Sequence, residues 1–296
     1  MITFSQRFPK DDQRLLYYYL LYKVRCCLLL MLIILLSGNL VVNAQSGSEH
    51  WDTYMARFGN KPGSVLVDMG LFPAAPDKKT PYLVITGPKV QNCNNNGLPA
   101  TDEISGLEDI LESTSTFLSG ITAKTLAGTV TYNCERLNYY YVKDTTGIRN
   151  ALARMYSRSF NDHPYSVKIR YDPDWTTYKT FLYPGPEMLR WMESDKIITA
   201  MLQSGDSLKE KRNINFKFNF QTEQGRKQFS EVVRGRDYKA DKLYPVDNGS
   251  IFGVTVTKFD LVRIGSVDSM SSYLQEEGKK YGGVFIGWDA PVKISK

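Results

Sequence analysis

Histidine is almost missing from this chain: 296 residues hold two, His50 and His163. Neither falls in a metal-ligand spacing such as H-E-x-x-H, and no C-x-x-C pair stands ready to hold zinc. There is no Gly-x-Ser-x-Gly elbow, no phosphate-cradling Walker loop and no dinucleotide fingerprint. These gaps speak against zinc hydrolases, α/β-hydrolases, P-loop enzymes and nicotinamide oxidoreductases. Carboxylates are present but scattered. Glu108, Asp109 and Glu112 share one helical stretch with no facing partner, and Glu276 and Glu277 neighbour Lys279 and Lys280. Both groups read as solvated faces rather than acid–base pairs. The expectation is a protein without catalytic residues, metal ligands or a cofactor.

Cysteine is scarce too, and its placement matters. Of four cysteines, Cys26 and Cys27 lie in a leader-like segment, which leaves Cys93 and Cys134. The leader has a short basic flank, Lys23 and Arg25, followed by the charge-free run Cys26–Leu36 and then Ser37-Gly38-Asn39. Val42-Asn43-Ala44 approximates the small-residue cleavage pattern of a secretory signal. The apolar run is short for a membrane span, which needs ~20 residues. Residues 1–44 are therefore expected to be a signal peptide, with Gln45 the first mature residue and the protein exported to a periplasm or beyond. The alternative is an uncleaved anchor in the inner membrane, lengthened by Leu15–Tyr22; the membrane is a partner only in that case. In an exported chain, Cys93 and Cys134 suggest one disulfide, which would stabilise by ~3–4 kcal/mol. Two unpaired thiols are the other reading.

Strong charge of one sign is also lacking. The chain has 37 basic and 31 acidic residues, of which the leader carries five and two. The remainder holds 32 and 29, a net charge of +3. That balance gives a nucleic-acid partner little support. Lys209, Lys211, Arg212, Arg226, Lys227, Arg234 and Arg236 gather in one stretch, but Glu210, Glu223, Glu231 and Asp237 interleave with them, so a mixed-charge surface is expected.

Apolar and aromatic residues are plentiful, and their periodicity organises the rest. Residues 64–71, 82–90, 128–133, 137–143 and 166–171 read as strands, and 101–120 and 147–160 as helices. Tyr139-Tyr140-Tyr141 puts two rings on one face and one on the other, so one face is a candidate for exposure. Asn92–Gly97 reads as a surface turn. The cluster Tyr183-Pro184-Gly185-Pro186 marks a boundary. Beyond it come a helix at 187–204, strand 213–221, a helix at 222–236, strands 240–246 and 251–262 joined through Asn248-Gly249, a helix at 265–281 and strand 284–288. Strand 213–221 alternates cleanly, with Ile214, Phe216, Phe218 and Phe220 inward. The order β-α-β-β-α-β is the split βαβ, or ferredoxin-like, arrangement, with one sheet face free. The fold class is α+β in two domains, 45–180 and 186–296.

The second domain resembles the ribonuclease E inhibitor family called RraB. The features are the aromatic first strand Asn215-Phe216-Lys217-Phe218, Phe229 in the following helix, the central hairpin, and Gly283-Val284-Phe285-Ile286-Gly287-Trp288-Asp289 at the end. The family more often has an acidic residue where Ile286 stands. Gly283, Gly287 and Trp288 are the family markers; Gly287 is expected to let the backbone pass close to a neighbour, and Trp288 to seal the core. The first domain resembles domain-of-unknown-function family 695, through His50-Trp51-Asp52-x-Tyr54, Gly97-Leu98-Pro99 and Asn138–Tyr141 followed by Val142-Lys143-Asp144. The resemblance implies a protein partner and a regulatory role without catalysis. Inhibition of a ribonuclease is a second reading that the resemblance implies. A cell-envelope hydrolase with unidentified carboxylates is a third.

Overall fold

The computed structural model describes residues 49–246 and 250–294. The leader, its cleavage or anchoring, and the Asn248-Gly249 turn lie outside the described residues.

Two antiparallel sheets organise the chain. The first has six strands: β1 (Trp51–Phe58), β2 (Lys61–Asp68), β3 (Tyr82–Pro88), β4 (Lys124–Tyr132), β5 (Glu135–Val142) and β6 (Tyr165–Tyr171), in the order β1-β2-β4-β5-β3-β6. Helices α1 (Ile104–Ser119) and α2 (Ile148–Ser159) cover one face, over a core of Val84, Tyr140, Val142, Ile148 and Leu152. The opposite face carries Val65, Val67, Leu83, Tyr139 and Tyr141. There the cover is a 3-10 turn, Met69–Ala74, together with the segment from Asp172 to Leu182. The second sheet has four strands: β7 (Arg212–Phe220), β8 (Lys239–Val246), β9 (Ile251–Asp260) and β10 (Gly283–Asp289), in the order β10-β7-β9-β8. Helices α4 (Glu223–Arg234) and α5 (Ile264–Lys280) pack on one face through Phe229, Val233, Val267 and Leu274. No helix among the described residues covers its other face. The α+β class in two sheet-based halves is thus what the chain adopts.

Helix α3 (Pro186–Gln203) ties the halves together. Pro186 occupies its first turn, where the missing N–H costs nothing. Met188, Trp191 and Met192 pack on the first sheet's core, whereas Ile198 and Met201 belong to the second's. Trp288 Nε1 donates to Ser194 Oγ at 2.9 Å, and Lys196 pairs with Asp52.

Some elements differ from the sequence reading, for local reasons. Strand β1 escapes it because only Tyr54 is buried, so no alternation shows. Strand β2 ends at Asp68 rather than Leu71, because the Asp68 carboxylate accepts from Gly70 N at 2.9 Å and starts the 3-10 turn. Strand β4 starts earlier, at Lys124, because an irregularity between Leu126 and Gly128 breaks the two-residue period. The β4–β5 turn uses Asn133 and Cys134, both at positive φ, in place of an obvious Asn-Gly pair.

Candidate functional site

One corner of the first sheet is left open. Register places Ile85 between Tyr139 of β5 and Lys168 of β6, and Leu83 between Tyr141 and Arg170. Strand β6 is the sheet edge, so Lys168 and Arg170 look onto a face that its neighbours bury. The segment after β6 folds back over that face but stops short of the corner. A groove of about 640 Å³ remains, floored by Ile85 and Tyr139 and bordered by Lys168, Arg170, Thr180 and Phe181.

Asp172 holds this segment in place. Its carboxylate accepts from Tyr141 Oη at 2.7 Å, Thr176 N at 2.8 Å and Thr177 N at 3.0 Å. Burial raises its pKa, but those hydrogen bonds outweigh burial and hold the carboxyl below its usual range. Trp175 adopts φ +53°, strained for a bulky side chain, and is fixed there by stacking on Tyr141 at 4.1 Å and by donating Nε1–H to Thr80 O at 3.1 Å. Arg170 donates to Thr177 Oγ1. Burial pushes the Tyr139 phenol up to about 12, opposed by the Arg170 charge, so the ring stays neutral. The groove contains one carboxylate, already ionised and fully engaged, which is a poor general acid.

The tyrosine run does not expose a face. Tyr139, Tyr140 and Tyr141 are all buried, because covering elements lie on both sides of β5; only Tyr139 reaches the groove. Glu108, Asp109 and Glu112 are exposed on α1. His50 is exposed, and His163 pairs with Asp162 in the turn before β6, at 2.8 Å. Among the described residues, no group of three or more His, Cys, Asp or Glu could hold a metal ion. Cys93 and Cys134 are joined as a disulfide, with Cα atoms 5.9 Å apart. The loop around Cys93 is folded by Asn94, whose side chain accepts from Asn96 N and Leu98 N, and Gly97 O accepts from Cys134 N at 2.8 Å.

The basic stretch of the second half is not a patch. Arg212 is buried and ion-paired with Asp206, and also donates to Pro291 O at 3.0 Å. Asp206 further accepts from Lys293 N at 2.8 Å, so the pair fastens the C-terminal segment. Arg226 is buried beneath Phe252, 5.5 Å from its ring centroid. Two of the seven cations are therefore interior.

The closing strand decides what the second half resembles. Gly283 lies under the Phe220 ring, where a Cβ would come within 2.6 Å. The β10–β7 register slips between Phe285 and Gly287, and Gly287 takes φ +141°. The expectation for Gly287 is corrected here: a Cβ there would meet nothing within 4 Å, and the glycine serves a backbone conformation instead. Trp288 is buried at the junction with α3. Residues 191–290 match the family model described as Regulator of ribonuclease activity B. Residues 49–183 match the model described as Family of unknown function (DUF695). The two halves of the chain thus resemble the two families that the sequence motifs suggest. No curated protein matches the chain. A solved structure, an unknown protein from Galdieria sulphuraria, aligns over 71% of this chain and 98% of its own, at 9% identity and a TM-score of 0.20; at that score the likeness carries no argument.

The helix-free face of the second sheet is polar at its centre. Asn215, Lys217 and Asn219 of β7 stand beside Thr257, Thr255 and Gly253 of β9. Thr257 Oγ1 donates to Asn215 Oδ1 at 3.0 Å, Asn215 Nδ2 donates to Asp289 at 2.8 Å, and Lys217 pairs with Asp289 at 2.7 Å. Tyr244 lies across Gly253, where any Cβ would strike its ring. Apolar side chains sit at the margins: Val284 and Ile286 on the edge strand β10, and Phe259 near the end of β9. A broad apolar patch, the signature anticipated for a binding module, is replaced by a hydrogen-bonded centre with an apolar rim.

Proposed function

We propose that the protein is an exported, non-catalytic regulator that binds a protein partner through the helix-free face of its second sheet. The observation that carries this reading is that face itself. It belongs to the half that matches a family of ribonuclease regulators, and no helix among the described residues covers it. Its make-up suits recognition: Asn215, Lys217, Thr257 and Asp289 are held in place by mutual hydrogen bonds, rimmed by Val284, Ile286 and Tyr244. Such a surface supplies orientation from its centre and affinity from its margin. Export is supported by the leader pattern and by the Cys93–Cys134 disulfide, a bond that persists in oxidising compartments.

The test is affinity capture from the cell envelope with the wild-type protein and with Asn219→Arg. A partner retained by the wild type and lost with the variant is the expected result. N-terminal sequencing of the native protein should begin at Gln45. An intact Met1 in the cytosol would contradict export and favour the second reading, inhibition of a ribonuclease inside the cell.

A further inference from the structure

The corner groove of the first sheet sets two cations, Lys168 and Arg170, against one carboxylate, Asp172, and so keeps a net positive charge. Lys168 and Arg170 project from one face of β6, two residues apart, or roughly 6–7 Å along the strand. Neither belongs to an ion pair among the described residues. Asp172, the carboxylate at the groove, is occupied by Tyr141, Thr176 and Thr177, and Asp174 turns away to Lys78 at 3.2 Å.

The surroundings narrow the ligand. At about 640 Å³ the groove is far larger than an inorganic anion needs. Its floor is apolar, and the Phe181 ring stands at its border with 41% of its surface in solvent. Thr176 and Thr180 add exposed hydroxyls on the same border. Cations, a flat apolar ring and neutral hydroxyls together are what a sugar with an acidic substituent would use. Its charge would meet Lys168 and Arg170, its C–H face the Phe181 ring, and its hydroxyls the threonines. Two cations in one pocket suit a single acidic unit rather than a polyphosphate backbone, which is tracked by a longer run of charge.

We infer that this groove binds an acidic sugar unit, with a carboxylate or phosphate held between Lys168 and Arg170 and the ring lying against Phe181. The site lies on the first sheet and is independent of the partner surface on the second. A glycan uronate and a sugar phosphate offer the same chemistry.

Calorimetric titration of the purified protein distinguishes them. The probes are trigalacturonate, glucose 6-phosphate, inorganic phosphate and neutral galactotriose. Binding of either acidic sugar in preference to both inorganic phosphate and galactotriose is expected, and the stronger acidic probe assigns the source. Lys168→Glu should weaken that binding at least tenfold, while Lys209→Glu, an exposed cation of the other half, should leave it unchanged. Lys168 is exposed and without an ion-pair partner, so the variant should keep the wild-type melting temperature; if it does not, Lys168→Gln replaces it with the same expected loss. The inference is overturned if no acidic sugar binds, if galactotriose or inorganic phosphate binds as well, or if the Lys168 variant binds like the wild type.

Discussion

Arg212, which the sequence places in a mixed-charge surface, becomes structural through Asp206. The Asp206 side chain is buried with Arg212, and it accepts from Arg212 Nη2 at 3.0 Å, Leu208 N at 2.8 Å and Lys293 N at 2.8 Å. The Arg212 hydrogen bonds hold its pKa well below the usual carboxylate range, against the opposing effect of burial. Because the folded pKa is depressed, the stability that Asp206 contributes is present above its unfolded value of about 4 and is lost as pH falls toward the folded one. Asp206→Asn leaves Arg212 buried without a counter-charge and should destabilise by roughly 3–5 kcal/mol in urea at neutral pH. The variant's deficit should shrink as the pH is lowered below about 4. At the family marker Trp288, Trp288→Ala should cost on the order of 3 kcal/mol, and Trp288→Phe less, since an aromatic ring remains while the bond to Ser194 is lost. A loss well under 1 kcal/mol for the alanine variant would contradict its place at the junction.

At the level of elements, the reading of the sequence succeeded where the period was clean. Strand β7 alternates without exception, and Ile214, Phe216, Phe218 and Phe220 are all buried. Helices α1 to α5 lie within a few residues of their expected bounds because apolar spacing and glycine or proline breakers agree. Strand bounds failed for local reasons, a side-chain cap at Asp68 and the irregularity at Leu126, whereas burial was missed where a side chain's partners are distant in sequence. Tyr141 is buried because Asp172 and Trp175 return to cover it, and no local pattern announces that fold-back. The groove was half legible. Lys168 and Arg170 stand alternately with Val167 and Ile169 in the sequence, but the open corner opposite them depends on where the covering segment ends. The disulfide belongs to this scale as well. It ties the Asn92–Gly97 loop to the β4–β5 turn across 41 positions. Replacing both cysteines by serine should lower stability by ~3–4 kcal/mol, measured by chemical denaturation. Intact mass should rise by two hydrogens on reduction and alkylation should be possible only then; two alkylatable thiols in the unreduced native protein would contradict the bond.

On the scale of the whole molecule, α3 makes one cooperative body of two unrelated-looking sheets. Its first half packs in one core and its second half in the other, and residues 49–296 form one compact unit. A single thermal transition is therefore expected. A proline at Asp195, in the middle of α3, would break the helix at a cost of about 3 kcal/mol and should split unfolding into two transitions. Two transitions in the wild type would mean the halves are only tethered. The division of labour follows from this arrangement. The first sheet offers a small charged groove, and the second offers a face that no helix among the described residues covers. The most direct test of the partner surface is site-specific photocrosslinking in intact cells, with the photoreactive residue at Asn219 on the free face or at Glu108 on α1. A discrete crosslinked protein from position 219, and none from position 108, is the predicted result. No adduct at 219, or the same adducts from both positions, would contradict it.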